Sequence, residues 1–329
     1  MTDRALYFTA PETVERRSVT VGPPDDDELL VTTSASAISA GTELLVYHDE
    51  TPSGIPVDET IDGLDGEFSY PLRYGYAAAG TVTAVGDDID PAWIDRTVFG
   101  FAPHQTRFRA TPEAVVHLPD GMSPETGALL PSVETATNLV LDAAPRLGER
   151  VVVLGAGVIG LCVTRQLASF PLAELVVVDP VESRRVLARE MGADRVGTPE
   201  AVTAEVDEAD CVIELSGRPA TLDDAIDVVG YDGRIVVGSW YGSKRAPIDL
   251  GGRFHRDRID IVSSQVSTIA PELRGRWDRD RRMDVALDGL REIDAEALVT
   301  DRIPFENATE AYERLDADRE STIQVVLEY

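Results

Sequence analysis

The spacing of apolar residues divides the chain into two regions with different patterns. Over residues 1–121, short runs of alternating apolar and polar residues are separated by glycine, proline and acidic turns, which is typical of short β-strands. From residue 122 onward, continuous apolar runs alternate with stretches of helical spacing. This succession predicts a parallel sheet covered by helices. Residues 298–329 return to the pattern of a strand, a helix and a strand.

The most informative run is Val151–Gly160, where four apolar residues lead into three glycines. We predict a strand, a tight turn and a helix. In such a motif Gly155 permits the turn, Gly157 lets a pyrophosphate approach the backbone, and Gly160 lets the helix pack on the strand. Free N–H groups at a helix start attract an anion. The predicted cofactor contacts here are Gly155, Gly157, Val158, Ile159 and Gly160.

A second buried strand, Leu175–Asp179, follows this helix and ends in an acid 19 positions after Gly160. That spacing is typical of a carboxylate that accepts a hydrogen bond from a ribose 2'-hydroxyl. Asp179 would repel a 2'-phosphate, which favours NAD over NADP. Arg184 could instead hold that phosphate, so NADP stays possible.

The alternation of strands and helices continues after this acid, with predicted strands at Ala209–Leu215 and Arg234–Gly238. Ligands of doubly wound sheets bind beyond the carboxyl ends of the strands. Residues at these strand ends are therefore predicted cofactor contacts, namely Ser216, Gly238 and Ser239.

The composition is strongly acidic, with a formal net charge of -29 and a pI near 4.4. The acids are spread along the whole chain and Lys244 is the only lysine, a combination that resembles proteins of halophiles. Self-repulsion of such a surface is screened at molar salt, where the Debye length is about 3 Å. An acidic surface would repel nucleic acid, so we expect no nucleic-acid partner.

Cys162 and Cys211 are the only cysteines, and both fall inside predicted core elements. We expect them to be buried apolar residues, and not a disulfide or a metal pair. The first residues contain no apolar signal core, and no run has the length of a membrane span. These features favour a cytoplasmic protein with no membrane partner.

Several short motifs resemble the medium-chain dehydrogenase/reductase superfamily, and with the dinucleotide pattern the resemblance covers essentially the whole chain. The motifs are Gly80–Gly86 followed by Asp95–Val98, Leu118–Ser123, and Ile303–Tyr312. The resemblance implies an α/β fold, in which a Rossmann doubly wound parallel sheet is joined to a GroES-like β-barrel catalytic domain. The implied catalytic domain is discontinuous (1–121 and 293–329), and residues 122–292 would bind the dinucleotide.

The resemblance also implies an assembly. Members of the superfamily commonly pair through an edge strand of the nucleotide domain, here Ile259–Ser264, so we expect a homodimer or homotetramer. The stretch Asp49–Tyr70 is rich in Gly, Pro, Asp and Glu and is predicted to be an exposed loop or lid.

The resemblance departs from the zinc enzymes at the three metal-ligand positions, which correspond to Ala40, Tyr76 and Pro131. These residue types do not provide the nitrogen and sulfur ligands that zinc prefers. The chain therefore resembles a zinc-free branch, and we expect no zinc. The segments Ile38–Glu43 and Pro103–Phe108 are faintly similar to bacteriochlorophyllide dehydrogenase-like members.

Hydride transfer without a metal requires another group to protonate or stabilise the substrate oxygen. The candidates are Tyr76, which replaces a ligand, Thr42, which aligns with the relay hydroxyl of the zinc enzymes, and His104. Each also has a structural interpretation: Thr42 as a turn residue, Tyr76 as a pocket wall, and His104 as a surface histidine in water. Glu43 and Glu134 are interpreted as a solvated or hydrogen-bonded pair of acids.

These features lead to one main functional hypothesis: a zinc-independent NAD(P)-dependent oxidoreductase that transfers a hydride between nicotinamide and a small alcohol or ketone. One alternative is an NADPH-dependent enone or quinone reductase. The other is a protein that binds NAD(H) without catalysis.

Overall fold

A computed structural model describes residues 2–58, 61, 64, 66–201, 206 and 208–329. The chain divides into two compact units. The β-rich unit consists of Met1–Pro131 and Ala295–Tyr329, and the parallel-sheet unit is Ser132–Asp294. The first boundary lies later in the chain than residue 121, where the sequence placed it. The reason is that α2 (Pro124–Ala128) packs on strands of the β-rich unit.

The β-rich unit contains mostly short strands. They are β1 (Asp3–Ala10), β2 (Thr13–Val19), β3 (Leu29–Ala37), β4 (Leu72–Arg73), β5 (Ala78–Val85), β6 (Thr97–Gly100), β7 (Arg107–Ala110), β8 (Val115–His117), β15 (Val299–Pro304) and β16 (Gln324–Glu328). Its helices are α1 (Ala40–Tyr47), α2, α9 (Ala295–Leu298) and α10 (Ala308–Ala317), and α3 (Leu130–Ala143) crosses the boundary between the units.

Two sheets organise these strands among the described residues. One has the path β15-β16-β3-β5-β6-β8, with β7 paired to β3, and the other has the order β2-β1-β4. The predicted alternation holds only in part of β3, where Thr32 is exposed between the buried residues Val31 and Thr33. The rest of the strand is mostly buried on both faces. The strand-helix-strand tail predicted from the sequence returns to this unit as β15, α10 and β16.

The parallel-sheet unit alternates strands with helices. Its strands are β9 (Arg150–Leu154), β10 (Glu174–Val178), β11 (Arg195–Gly197), β12 (Ala209–Glu214), β13 (Val229–Val237) and β14 (Asp260–Ser263). Its helices are α4 (Val158–Leu167), α5 (Glu182–Glu190), α6 (Thr221–Val228), α7 (Arg253–Arg256) and α8 (Arg279–Arg291).

All strand pairs described in this unit are parallel, in the order β11-β10-β9-β12-β13-β14. The chain moves outward from β9 in one direction and then returns to its other side, which is the topology of a doubly wound sheet. The central strands are fully buried, as Val151, Val152 and Val153 in β9 illustrate. Continuous burial on both faces explains why these strands appeared in the sequence as unbroken apolar runs.

The prediction of an exposed loop over Asp49–Tyr70 is only partly correct. Val57 and Leu64 are 6% and 2% exposed and belong to the core of the β-rich unit, because they pack with residues of α1 and α10. Residues 59, 60, 62, 63 and 65 of this stretch lie outside the described residues. In the part of the chain that the structure describes, no helix combines the length and apolarity needed to cross a membrane.

Candidate active site

The turn after β9 is shaped by its glycines. Gly155 has a φ of +108°, a region that side chains with a Cβ rarely adopt. A Cβ on Gly155 would also lie 2.6 Å from the carbonyl oxygen of Leu215, at the end of β12. Two neighbouring strand ends therefore approach each other closely here, as the topology of the sheet requires.

The other two glycines of the motif have different tasks. A Cβ on Gly160 would lie 1.9 Å from the carbonyl oxygen of Gly155, so α4 can pack on the turn only without a side chain there. Gly157 precedes α4, and a Cβ on it would meet no atom within 4 Å. The space beside Gly157 borders the first N–H groups of the helix, which have no partner within the helix itself. This arrangement fits a pyrophosphate group.

Asp179 lies beside the same turn. Its carboxylate accepts hydrogen bonds from the backbone N–H groups of Ala156 and Val181, each at 2.8 Å, and only 3% of the residue is exposed. Arg184 Nη1 is 3.9 Å from one of the carboxylate oxygens. A carboxylate oxygen has two lone pairs, so acceptance of a ribose hydroxyl remains compatible with these contacts.

The predicted contacts at the ends of β12 and β13 also converge. The Ser239 hydroxyl accepts the backbone N–H of Gly217 at 2.9 Å, next to Ser216. A Cβ on Gly238 would lie 2.6 Å from a Leu139 methyl carbon. The sequence missed Glu214, a fully buried acid whose carboxylate accepts from the Ser216 N–H at 2.7 Å. The sequence could have indicated Glu214, because it is an acid at the end of a buried strand.

In the β-rich unit, three hydroxyl groups come together at the start of α1. We call Ser39, Thr42 and Tyr76 the hydroxyl cluster. The Tyr76 hydroxyl donates to Ser39 Oγ at 2.5 Å and makes a longer contact of 3.4 Å with Thr42 Oγ1. All three residues are partly exposed. The structure thus brings Thr42 and Tyr76 together, and adds Ser39, to which the sequence assigned no role.

The pKa of the Tyr76 phenol is raised from its ordinary value. Burial is the largest cause, the hydrogen bonds with Ser39 and Thr42 act in the opposite direction, and Glu43 and Asp58 raise the pKa further. A phenol of this kind stays protonated at neutral pH and can donate its proton to a developing alkoxide.

The residues at the positions of zinc ligands do not fit that metal. Ala40 and Pro131 have no side-chain donor atom, and the Tyr76 hydroxyl is hydrogen-bonded to Ser39. Within the described ranges, no group of three His, Cys, Asp or Glu residues is arranged to hold a metal ion. Cys162 and Cys211 are buried in the parallel-sheet unit, and burial raises the pKa of each thiol to about 12.

The interpretation of His104 as a surface residue is wrong. Its side chain is 0% exposed, with Nδ1 2.7 Å from Ser36 Oγ and Nε2 3.0 Å from Glu43. Both nitrogens of the ring are therefore engaged inside the protein. Glu43 and Glu134 are buried and hydrogen-bonded, not solvated, and they have different partners: Glu43 contacts His104, and Glu134 forms an ion pair of 2.7 Å with the buried Arg282.

Comparison with known proteins supports a dehydrogenase, but it does not support the expected absence of zinc, since the matching family is described as zinc-binding. The profile of a family described as "Zinc-binding dehydrogenase" matches residues 158–279. D-xylulose reductase of Saccharomyces cerevisiae is 23% identical over 375 residues, which cover 99% of this chain and 98% of that protein. Sorbitol dehydrogenase of Mus musculus is 25% identical over 353 residues, which cover 93% and 94%. The matched range 158–279 includes none of the positions Ala40, Tyr76 and Pro131.

Among solved structures, 2R,3R-butanediol dehydrogenase from Bacillus subtilis superposes with a TM-score of 0.80 at 19% identity, covering 100% of both chains. The predicted fold class, a Rossmann sheet with a GroES-like domain, is confirmed. The fold and the nucleotide turn are those seen in alcohol dehydrogenase-like oxidoreductases. The chain is similar to zinc-binding dehydrogenases over residues 158–279 and to named dehydrogenases and reductases over nearly its whole length, which supports an NAD(P)-dependent oxidoreductase.

Proposed function

We propose that the protein is a zinc-independent dehydrogenase that interconverts a small alcohol or polyol and its ketone, with Tyr76 as the proton donor. The observation that carries this proposal is the hydroxyl cluster. Tyr76 is at a position that corresponds to a zinc ligand in the zinc enzymes, and its hydroxyl lies 2.5 Å from Ser39 Oγ. The relatives named for D-xylulose and sorbitol support polyols and ketoses as the substrate class.

In the direction of ketone reduction, the Tyr76 hydroxyl donates its proton to the carbonyl oxygen. A nicotinamide dinucleotide held by the Gly155–Gly160 turn and Asp179 would supply the hydride. The O–H bond of the phenol breaks, a new O–H bond forms on the substrate, and Tyr76 regains a proton from water. Ser39 and Thr42 stabilise the transient phenolate by donating hydrogen bonds to it. Alcohol oxidation reverses each of these proton movements.

We propose that the cofactor is NAD, with NADP as the second possibility. The carboxylate of Asp179 lies beside the pyrophosphate turn, which supports recognition of an unmodified ribose. Arg184 Nη1 lies 3.9 Å from an Asp179 carboxylate oxygen, so its positive charge partly offsets the negative charge of Asp179. This keeps NADP as the second possibility. Dissociation constants for NADH and NADPH, measured by fluorescence titration, test this choice. Tighter binding of NADPH would favour the enone or quinone reductase.

The acidic surface supports a halophilic protein. We propose that the net charge of -29 destabilises the fold in dilute buffer and is screened by salt. Thermal unfolding from about 0.1 M to about 1 M KCl should show a rising midpoint, because screening lengths shorten over that range. A midpoint that does not change would remove this interpretation. The faint similarity to bacteriochlorophyllide dehydrogenase-like members stays a prediction.

The edge strand β14 supports the proposed homodimer or homotetramer. Ile261 and Val262 on this strand are each 37% exposed. Among the described residues β14 is the last strand of its sheet, and an edge strand with apolar side chains can pair with a second copy. Light scattering of the protein in molar KCl gives the mass in solution, and a monomer would contradict the proposal.

The central test is steady-state turnover of D-xylulose with NADH, and of D-sorbitol with NAD+, in molar KCl. Tyr76→Phe should lower kcat by about 100-fold or more, since general acid catalysis contributes roughly that factor. Binding of NADH should be unaffected, because the proposed cofactor contacts belong to the parallel-sheet unit. Unchanged turnover of Tyr76→Phe would remove Tyr76 from the mechanism. Saturable NADH binding without turnover of any carbonyl compound would favour the non-catalytic alternative.

A further inference from the structure

A chain of hydrogen bonds lies in the core of the β-rich unit, and neither the proposed reaction nor the fold alone accounts for it. We call Ser36, Glu43, His104, Tyr312 and Tyr329 the buried network. Ser36 Oγ is 2.7 Å from His104 Nδ1 and 2.9 Å from the Tyr329 hydroxyl. Glu43 Oε2 is 3.0 Å from His104 Nε2 and accepts from the Tyr312 hydroxyl at 2.5 Å. Ser36, Glu43, His104 and Tyr312 are all 0% exposed.

Burial of a carboxylate is costly unless donors surround it, and Glu43 is surrounded. Its second oxygen, Oε1, accepts the backbone N–H of Ser39 at 2.7 Å. Ser39 is also the acceptor for the Tyr76 hydroxyl at 2.5 Å. One residue, Ser39, therefore joins the buried network to the hydroxyl cluster.

A second connection is made by the backbone next to Tyr76. Gly75 has a φ of +100°, and a Cβ on it would lie 2.4 Å from Cδ2 of His104. The imidazole ring thus packs directly against the peptide chain that leads into Tyr76. Any side chain at position 75 would displace the ring from Ser36 and Glu43.

We propose that Glu43 and His104 are positioning residues of the active site: Glu43 fixes Ser39 through its backbone N–H, Ser39 holds the Tyr76 hydroxyl, and His104 keeps the Glu43 carboxylate in place. This inference rests on the proposed function, because it takes Tyr76 as the proton donor. Neither positioning residue touches substrate.

The groups that face Tyr76 act on its proton in opposite directions. The hydrogen bond with Ser39 favours the phenolate, whereas the carboxylates of Glu43 and Asp58 disfavour it. The neighbouring tyrosines of the same core, Tyr74 and Tyr312, have pKa values well above the usual range because of their burial. Loss of the Ser39 hydroxyl and loss of the Glu43 charge should therefore move the pKa of Tyr76 in opposite directions.

The test replaces Tyr76 by 3,5-difluorotyrosine, whose acidity brings its titration into an accessible pH range, and follows the fluorine NMR signal. Ser39→Ala should raise the pKa at position 76, because a donor to the phenolate is lost. Glu43→Gln should lower it, because a nearby negative charge is removed while the side chain keeps its size. If neither variant moves this pKa, the link through Ser39 is overturned.

Ser39→Ala is a clean variant, because Ser39 is partly exposed and its side chain makes no capping hydrogen bond with α1. The matched control is Tyr47→Phe. Tyr47 is buried and stacks on Tyr312 with ring centroids 5.8 Å apart, yet its hydroxyl makes no hydrogen bond to the network within the described residues. The pKa at position 76 should not change in this control, and a change as large as in Glu43→Gln would point to general loosening of the core.

Kinetics separate this inference from the proposed function. Ser39→Ala should lower kcat for D-xylulose about five- to tenfold, the usual effect of one hydrogen bond, with KM nearly unchanged. In Tyr76→Phe the added Ser39→Ala change should have no further effect, since both act on one proton. Full activity of Tyr76→Phe would reject the proposed function and leave the titration result standing. Additive losses would reject the positioning role alone.

Discussion

The nucleotide turn of the parallel-sheet unit and the hydroxyl cluster of the β-rich unit are built by different means. The turn consists of backbone groups from a short segment, Gly155 to Gly160, and its shape is decided by where side chains are missing. The hydroxyl cluster consists of side chains held by partners far apart in sequence, and the contact of Glu43 with Tyr312 spans 269 positions. A site made of backbone groups should be sensitive to side chains added within its own segment and insensitive to substitutions near it. A site made of side chains depends on each contact that holds those side chains in place.

Gly160→Ala should have the largest effect. The new Cβ would lie 1.9 Å from a backbone oxygen, and a backbone atom cannot move aside cheaply. We expect a loss of about 3 kcal/mol in the free energy of unfolding, at the upper end for an overpacked site, and loss of NADH binding. Denaturant unfolding and fluorescence titration measure these two quantities. Wild-type NADH affinity in this variant would show that the turn does not form the cofactor site.

Gly75→Ala should come next. It combines a left-handed φ of +100° with a 2.4 Å approach to the His104 ring, which belongs to a side chain and can shift. We expect a loss of about 2 kcal/mol and a reduced kcat, because His104 leaves Glu43. NADH affinity should be retained.

The control for this change is Gly22→Ala in the same unit, where a Cβ would meet no atom within 4 Å. It should have wild-type stability and turnover. Equal behaviour of Gly75→Ala and Gly22→Ala would contradict the assigned role of His104.

Gly157→Ala should weaken the binding of NADH without changing the free energy of unfolding. Its φ of -72° suits alanine, and the Cβ would project into open space. That space is where the pyrophosphate is proposed to lie. We expect the dissociation constant of NADH to rise about tenfold, equal to roughly 1.4 kcal/mol, with an unchanged unfolding midpoint. Unchanged affinity would place the pyrophosphate elsewhere.

The difference between the two regions also explains what the sequence could predict. Strand, glycine turn, helix and acid follow one another between Val151 and Asp179, so local patterns were sufficient for the parallel-sheet unit. In the structure the Asp179 carboxylate lies beside the turn, hydrogen-bonded to Ala156. The final strand-helix-strand pattern was likewise a local feature, and it returns in the structure as β15, α10 and β16.

The polar core of the β-rich unit could not be predicted in this way. His104 follows a strand and precedes a polar segment, which is the pattern of a surface loop. Its partners Ser36 and Glu43 are separated from it by 68 and 61 positions, so only the folded chain brings them together. Ser39 was within a motif that the sequence highlighted, and its spacing of four residues from Glu43 was the one local signal of their contact.

The central claim is that Tyr76 and its hydroxyl partners replace a metal, and metal removal tests it most directly. The protein is dialysed against a chelator in molar KCl, its zinc content is determined by mass spectrometry, and turnover of D-xylulose with NADH is measured before and after zinc is added back. We expect full turnover with far less than one zinc per chain and no gain on addition. Turnover that disappears on chelation and returns with stoichiometric zinc would contradict the account.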